Sequence, residues 1–548
     1  MNCEVAWFRS IRARVPIVTL LNAIALLAPC GVNAQSAIAD VSAAPQIWRW
    51  SPLRPIGDLG MPAPRLPELP RLLELPARRP GVAGLSVNPA RLTDEIDTAW
   101  TQVVFSANSL SGAYRRPLDP ASVGSLGTSL SGWRRIGARV AAIGRVAVER
   151  EALSGGSYSA FTAPYGSSPF VPSDTNRPAL TRTIVTLEGA EGVALGAWRL
   201  GIAAGYLGHE NSSSQSAASQ IGRASSAGLT LGAARALGSR ASVGLYGRRL
   251  QNSESVNLIA NPRTIRVYRL DGYLSVEPAD FSAAFPVFLR RADRAATAWG
   301  ANVDAQALGT SWSAHAERQS LEERQISSLL ASDPPTDRWR TSGGAVGGGA
   351  QRAVRGLLAT LRADWTVQRG DAERATAGAG AFRADASRLE VTSELRYASP
   401  LSPWSFAAML SLGRDQQAAT DDAARITTDI VALMPGVAGE VARRVSDRLT
   451  IALAYGRSQF TPNAGVPSPA NRGKAYTLLI APAVEVAAAV ARSDQGGVTA
   501  RWRTGVGFVS LRAWTLRTQP IDGSGGPMLL PEGVRSRWGF ATSVEPAR

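Results

Sequence analysis

Few residues in this 548-residue chain can do chemistry by themselves. Two histidines, His209 and His315, and two cysteines, Cys3 and Cys30, are its whole complement of imidazoles and thiols. The run His209-Glu210-Asn211-Ser212 sets a base, a carboxylate and a hydroxyl close together, the groups that hydrolytic catalysis draws on. It is also ordinary loop chemistry leading into a serine-rich tip. His315, in Trp312-Ser313-Ala314-His315-Ala316-Glu317, shares strand parity with Ser313 and Glu317, which suits a hydrogen-bonded wall residue better than a general base. Two histidines on different strands do not complete a zinc site. The stretch Gly343 to Gly349 has neither the strand-to-helix context nor the following lysine of a phosphate loop, and is expected to relieve crowding or mark a bend. No catalytic, cofactor-binding or metal residue is assigned, and no cofactor is expected.

The elements around these residues are set first by the N-terminus. Arg9, Arg12 and Arg14 precede an apolar run from Val15 to Ala28, and Val32-Asn33-Ala34 offers small residues to a signal peptidase. Residues 1–34 therefore read as a secretory signal peptide cleaved near Ala34. Lipid attachment at Cys30 is disfavoured by Pro29. Cleavage removes both cysteines and with them any thiol chemistry.

Residues 35–130 are rich in proline and arginine, as in Leu75-Pro76-Ala77-Arg78-Arg79-Pro80. Density of this kind blocks helices and sheet ladders, so the stretch is expected to be a periplasmic or plugging segment. One short helix is expected in it, capped by Asn88, begun by Pro89, and aligning Leu92, Ile96, Trp100 and Val103 on one face.

From residue 131 to 548 the period becomes two. Leu389, Val391, Leu395 and Tyr397 alternate with Glu390, Thr392, Glu394 and Arg396, and Leu357 to Val367 repeats the pattern. A soluble sandwich would line its apolar faces with large side chains. Here those faces are lean in bulk and bounded by aromatics: Trp198, Tyr206, Trp299, Trp312, Trp404, Tyr455 and Tyr476. Amphipathic rings at strand ends are what a lipid-facing wall needs. The expected fold is therefore all-β: a transmembrane, antiparallel, up-and-down β-barrel of about sixteen strands. The strands are expected near 133–149, 180–191, 196–208, 224–236, 241–253, 295–308, 310–324, 338–352, 356–369, 387–398, 404–416, 426–443, 449–460, 474–490, 498–518 and 534–545. Short turns alternate with long loops, and the alternating stretch Thr264–Tyr273 is expected to form a small hairpin inside the loop 254–294, with two further wall strands as the alternative. Unpaired edges in hydrocarbon cost several kcal/mol per group, so the first and last strands should pair.

A chain with mean hydropathy −0.04 is no helical transporter. Its formal charge of +16 falls to +14 without residues 1–34, which carry three arginines and one glutamate, and Lys474 is the only lysine. Strand parity turns Arg135, Arg139, Arg145, Arg182, Arg199, Arg248, Arg362 and Arg396 into the lumen, where they could focus a positive potential. Glu390 and Glu394 share that face and would offset part of it. Surface arginines could instead bridge lipopolysaccharide phosphates. No nucleic-acid-binding fold is present to use the charge.

Over residues 131–548 the chain resembles bacterial outer-membrane β-barrel proteins. Ser106-Ala107-Asn108-Ser109-Leu110-Ser111, expected just before the first strand, and Val267-Tyr268-Arg269-Leu270-Asp271-Gly272, in the long loop, give it a resemblance to an uncharacterised family of such barrels. That implies a barrel in the outer membrane of a Gram-negative bacterium and no particular reaction. The function expected first is passage of small hydrophilic solutes, anion-leaning, with membrane lipid and lipopolysaccharide as surroundings. An adhesin or assembly role for the external loops is the alternative, and a membrane hydrolase the third reading. Association with copies of itself is left open by the pattern.

Overall fold

The computed structural model describes residues 88–94, 99–116, 118–155, 170–174, 179–213, 218–260, 267–271, 275–278, 287–328, 337–354, 356–374, 378–399, 401–422, 426–464, 481–505, 507–521 and 533–546. Residues 1–34, expected to be a signal peptide, most of the proline-rich segment and Tyr476 lie outside the described residues.

Among the described residues twenty-one strands follow one another: β1 (Trp100–Gly112), β2 (Ser122–Ile136), β3 (Val140–Ser154), β4 (Phe170–Asp174), β5 (Leu180–Leu195), β6 (Trp198–Ser213) and β7 (Ala218–Ala236). Next come β8 (Ala241–Ala260), β9 (Val267–Asp271), β10 (Ser275–Pro278), β11 (Val287–Ala307), β12 (Thr310–Ser328), β13 (Asp337–Val354) and β14 (Leu357–Arg374). The last are β15 (Gly378–Ala398), β16 (Trp404–Asp421), β17 (Ile426–Arg444), β18 (Leu449–Ala464), β19 (Ala491–Thr504), β20 (Gly507–Pro520) and β21 (Arg535–Pro546). Eighteen of them form one antiparallel sheet in which each strand pairs with its sequence neighbours in the wall. The sheet closes where β1 meets β21, with Val103 opposite Val544 and Gly112 opposite Arg535. Every edge is thereby removed, the condition for a sheet to sit in hydrocarbon. Among the described residues no helix is long and apolar enough to cross a membrane.

The outer face carries the apolar side of the alternation: Leu126, Trp299, Leu361, Leu410 and Leu453 are all more than half exposed. In water such a continuous apolar surface would drive aggregation; against acyl chains it is the matched solvent. Trp198, Trp312 and Trp404 lie on this face beside the short turns, with Arg235 stacked 5.4 Å over Trp198 and Arg443 5.1 Å over Trp404. Tyr206, Trp299 and Tyr455 lie six to eight residues further along their strands. With a tilt near 40°, that separates two aromatic levels by about 20 Å, close to the apolar band of an outer-membrane barrel.

The turns at one end are all short, for example Leu308-Gly309 between β11 and β12. There φ is +53° and +72°, the two left-handed residues of a turn whose twist matches its strands. Beyond the apolar band the strands run on toward the other end with charged outward faces, as in the Arg369–Asp385 and Arg383–Asp371 pairs between β14 and β15. The connections expected at 209–223 and 370–386 are therefore largely strand, because where both faces are wet the ladder persists without an apolar signal.

Eighteen strands replace the expected sixteen for three physical reasons. β1 and all but the last four residues of β2 precede the expected start, and their serine- and glycine-rich sequences leave too few large side chains for alternation to register; the expected strand 133–149 thus joins the end of β2 to β3 across their turn. Ser106–Ser111 is thus part of β1 and not a lead-in to the wall. The expected strand 498–518 divides into β19 and β20. The expected strand 474–490 is corrected: residues Ala481–Ala488 form helix α1. Val484 and Val486 fit a period of two, but Pro482 at the opening and the surrounding alanines favour a helix. The expected hairpin within 254–294 is present as β9 and β10, and β4 from an earlier loop adds to it as a third strand. The loop itself is shorter than expected, since β8 runs to Ala260 and β11 begins at Val287.

Candidate functional site: the lumen

Odd and even positions alternate between lipid and lumen on every wall strand, so the pleat alone decides what the lumen can offer. Six of the expected inward arginines meet carboxylates there. Arg145 lies 3.7 Å from Glu188, Arg182 3.1 Å from Glu151, Arg248 2.9 Å from Glu317 and Arg396 2.9 Å from Glu394. Arg362 pairs with Asp364, and Arg199 reaches Asp94 at 2.6 Å. Glu390 is held by Arg388 at 3.1 Å. Arg135 donates to the Thr93 carbonyl at 2.5 Å. Arg139 is a correction: it is exposed in the turn between β2 and β3, where Gly137 at φ +65° interrupts an alternation that looked continuous. Pairing leaves these arginines little net field with which to select anions.

The histidines separate cleanly. His209 faces the lumen, 8% exposed, with Nε2 4.0 Å from Glu254 on β8. Ser212 and Glu210 sit on the opposite face of β6, so the run that could have made a hydrolytic set is split by the pleat. His315 shares the inward face with Ser313 and Glu317, as its parity implies, and lies 3.9 Å from Asp364 two strands away. Gly347 of β13 stands between them, and a methyl group there would overlap both side chains. That glycine relieves crowding. Among the described residues no group of three His, Cys, Asp or Glu side chains is placed to hold a metal ion.

Sequence reasoning missed a buried polar network. Arg294 donates to Glu323 at 2.6 Å and to Glu254 at 3.1 Å, and Gln325 links Glu323 to Arg290. Arg290, Glu323 and Gln325 are completely buried. All lie in β8, β11 and β12, in stretches expected to be loop or not singled out. Charges this buried persist only when fully partnered.

Two elements enter the lumen from its two ends. At the short-turn end, Pro89–Asp94 forms a 3-10 turn. Asn88 caps it as expected, its Oδ1 accepting from the Ala90 amide at 3.0 Å. Its Nδ2 donates to the carbonyls of Ala233 and Leu245 at 3.1 Å and to Asn302 Oδ1 at 3.2 Å, so one side chain spans β7, β8 and β11. The helical face expected to continue through Trp100 and Val103 does not, since both belong to β1. Leu92 packs on Trp133, Ala141, Ala190 and Ala203. Arg91 pairs with Asp304 and with Asp94, and donates to Ser242. Gly201, Gly232 and Gly244 floor this seat, and a methyl group on any of them would overlap the turn or its asparagine. Burial raises the Asp94 carboxyl above the ordinary carboxylate range, although Arg91, Arg199 and Arg135 pull it back. Burial likewise lowers Arg91.

At the long-loop end, α1 packs against inward-facing residues. Val486 and Ala489 meet Ala432, Met434, Phe460 and Ala491, and the Tyr114 hydroxyl donates to the Val486 carbonyl at 3.1 Å. Burial raises both the Tyr114 phenol and the Glu485 carboxyl.

Comparison with curated proteins gives no match. Among solved structures the chain is similar to BauA, the ferric preacinetobactin receptor of Acinetobacter baumannii (9% identity, TM-score 0.38, 82% of this chain and 80% of that one). It is similar also to the alcaligin outer membrane receptor FauA of Bordetella pertussis (10%, 0.40, 82% and 76%). A third is the toluene transporter TodX of P. putida (11%, 0.29, 86% and 95%). No residue role passes across at such values. Residues 89–543 match the Family of unknown function (DUF6850), and the chain belongs to that family.

Proposed function

We propose that this protein is an outer-membrane channel for small hydrophilic solutes, narrowed at the periplasmic mouth by the turn at residues 88–94. The observation that supports it best is the inward face itself, polar and ion-paired along β3, β5, β6, β8, β11, β12, β14 and β15, inside a ring of eighteen strands. A barrel of that size is wide enough for an aqueous passage, and charged side chains of this density are tolerated beside water. Export by residues 1–34, with cleavage near Ala34, would bring the chain to the periplasm, and the short turns then face inward. The paired arginines point to a weakly selective passage in place of a strongly anion-selective one.

A second reading, surface binding, draws on one feature: β4, β9 and β10 join two separate long loops into a small sheet. The two readings part in a planar bilayer. Full-length protein is expected to give discrete current steps, with reversal potentials near zero in asymmetric salt. Silence both in the wild type and in a variant whose turn has been displaced would remove the channel and leave the loops as the working part.

A further inference from the structure

Among the described residues the outward face carries a marked hollow that runs along the wall. Across β7, β8 and β11–β14 the wall is concave, and a groove of about 1060 Å³ runs along the strands. Its floor is small, made by Gly247, Ala301, Ala316 and Gly344, and Leu245 and Trp365 rise at its sides. Trp299 lies flat over Gly247, where a methyl group would strike the indole. Directly beyond it, toward the long loops, a second and polar hollow of about 460 Å³ is lined by Ser225, Gln251, Ser253, Asp293, Glu322 and Arg324.

Two arginines stand where the hollows meet. Arg249 lies opposite Thr297, and Arg318 opposite Trp299, so one β-strand separates them. Both are exposed on the outer face, and neither has a hydrogen-bond or ion-pair partner among the described residues. The outward arginines further along the same strands differ. Arg291 is held by Asp293 at 2.9 Å, Arg324 and Arg338 by Glu322 at 3.1 and 2.9 Å, and Arg340 by Glu373 at 3.6 Å.

From this we infer a lateral binding site for a phosphorylated glycolipid of the outer leaflet, a reading that rests on the membrane orientation proposed above. Acyl chains fill the trough, where small residues let them approach the backbone. The phosphate takes the two unpartnered guanidiniums, whose planar donor forks match its oxygens. Sugar hydroxyls enter the polar hollow, where Ser225, Gln251 and Ser253 exchange hydrogen bonds with them. Asp293 and Glu322, each already neutralised by an arginine, accept from hydroxyls there. A glycerophospholipid would fill the trough and leave that second hollow unused.

Native mass spectrometry of the full chain tests this, with lipid A or phosphatidylglycerol added to the micelle and conductance measured on the same preparations. Wild-type protein is expected to retain lipid A about tenfold more strongly than phosphatidylglycerol, and the pair Arg249→Gln and Arg318→Gln to abolish that preference. Ala301→Trp, which fills the trough and keeps both charges, should weaken lipid A as much. Arg414→Gln, an outward arginine on β16 away from the groove, should leave retention unchanged. Equal retention of both lipids by the wild type, or a preference that survives the double substitution, overturns the site. So does paired barrels in place of bound lipid. Conductance keeps the two ideas apart: a silent barrel that still prefers lipid A removes the channel alone, and a conducting barrel without the preference removes the site alone.

Discussion

The two mouths of the lumen are each occupied by a short element, and they hold it by opposite means. At the short-turn mouth the 88–94 turn is fixed by directional contacts: an asparagine bonded to three strands, an arginine on Asp304, and glycines that shape its seat. At the far mouth α1 leans on Tyr114, Met434 and Phe460 through apolar surface, with one hydrogen bond from Tyr114. Directional contacts specify a single pose and fail together when one is lost. Apolar contacts are non-directional and lose strength in proportion to area. The first mouth should therefore respond to substitution as a switch and the second as a graded loosening.

The largest effect is expected at the seat. Gly232→Leu places a side chain where Asn88 sits and should expel the turn outright, raising single-channel conductance severalfold with the barrel's heat-modifiable gel mobility unchanged. Unaltered conductance would mean that the turn narrows nothing. Asn88→Leu follows: losing its donated bonds to three strands, shared between two amide hydrogens, and the cap should weaken docking by about 3 kcal/mol. Faster hydrogen exchange at the Ala90 and Arg91 amides would report it. Smaller and graded is Met434→Ala at the other mouth, expected to cost about 2 kcal/mol in unfolding without altering exchange at residues 88–94. An all-or-none loss of α1 would erase the contrast between the mouths. Smallest is Asp94→Asn, within about 0.5 kcal/mol, because burial already opposes the charge. A carboxyl raised in the docked state favours docking when protonated. The turn should thus hold more firmly as pH falls through the carboxylate range and loosen as pH rises past it, read as lower conductance at acid pH than at neutral. The opposite slope would show the ion pairs with Arg91 and Arg199 to dominate.

What was legible in the sequence followed the apolar signal. Where one face meets lipid, as in β14 to β16, the alternation placed strands, outward aromatics and inward charges together. Where both faces are wet it went silent, and the buried network of Arg294, Glu254 and Glu323 lay in residues that looked like loop or carried no pattern. Asn88 and Pro89 announced their own turn, since capping is local chemistry. The seat at Gly201, Gly232 and Gly244 could not be read, because register across β6, β7 and β8 assembles it for a turn that lies far earlier in the chain. His209 and Ser212 show the reverse error: nearness in sequence suggested a working pair that a period of two places back to back.

The seam between β1 and β21 has a consequence for how such a molecule comes into being. The stave made earliest has its permanent neighbour in the stave made last, so no partial length of the wall can be complete. Until residue 546 or thereabouts has emerged and been delivered, two raw margins are exposed to any other nascent chain. Biogenesis must therefore shelter the beginning while waiting for the end, and a product stalled anywhere between is suited to degradation and not to insertion.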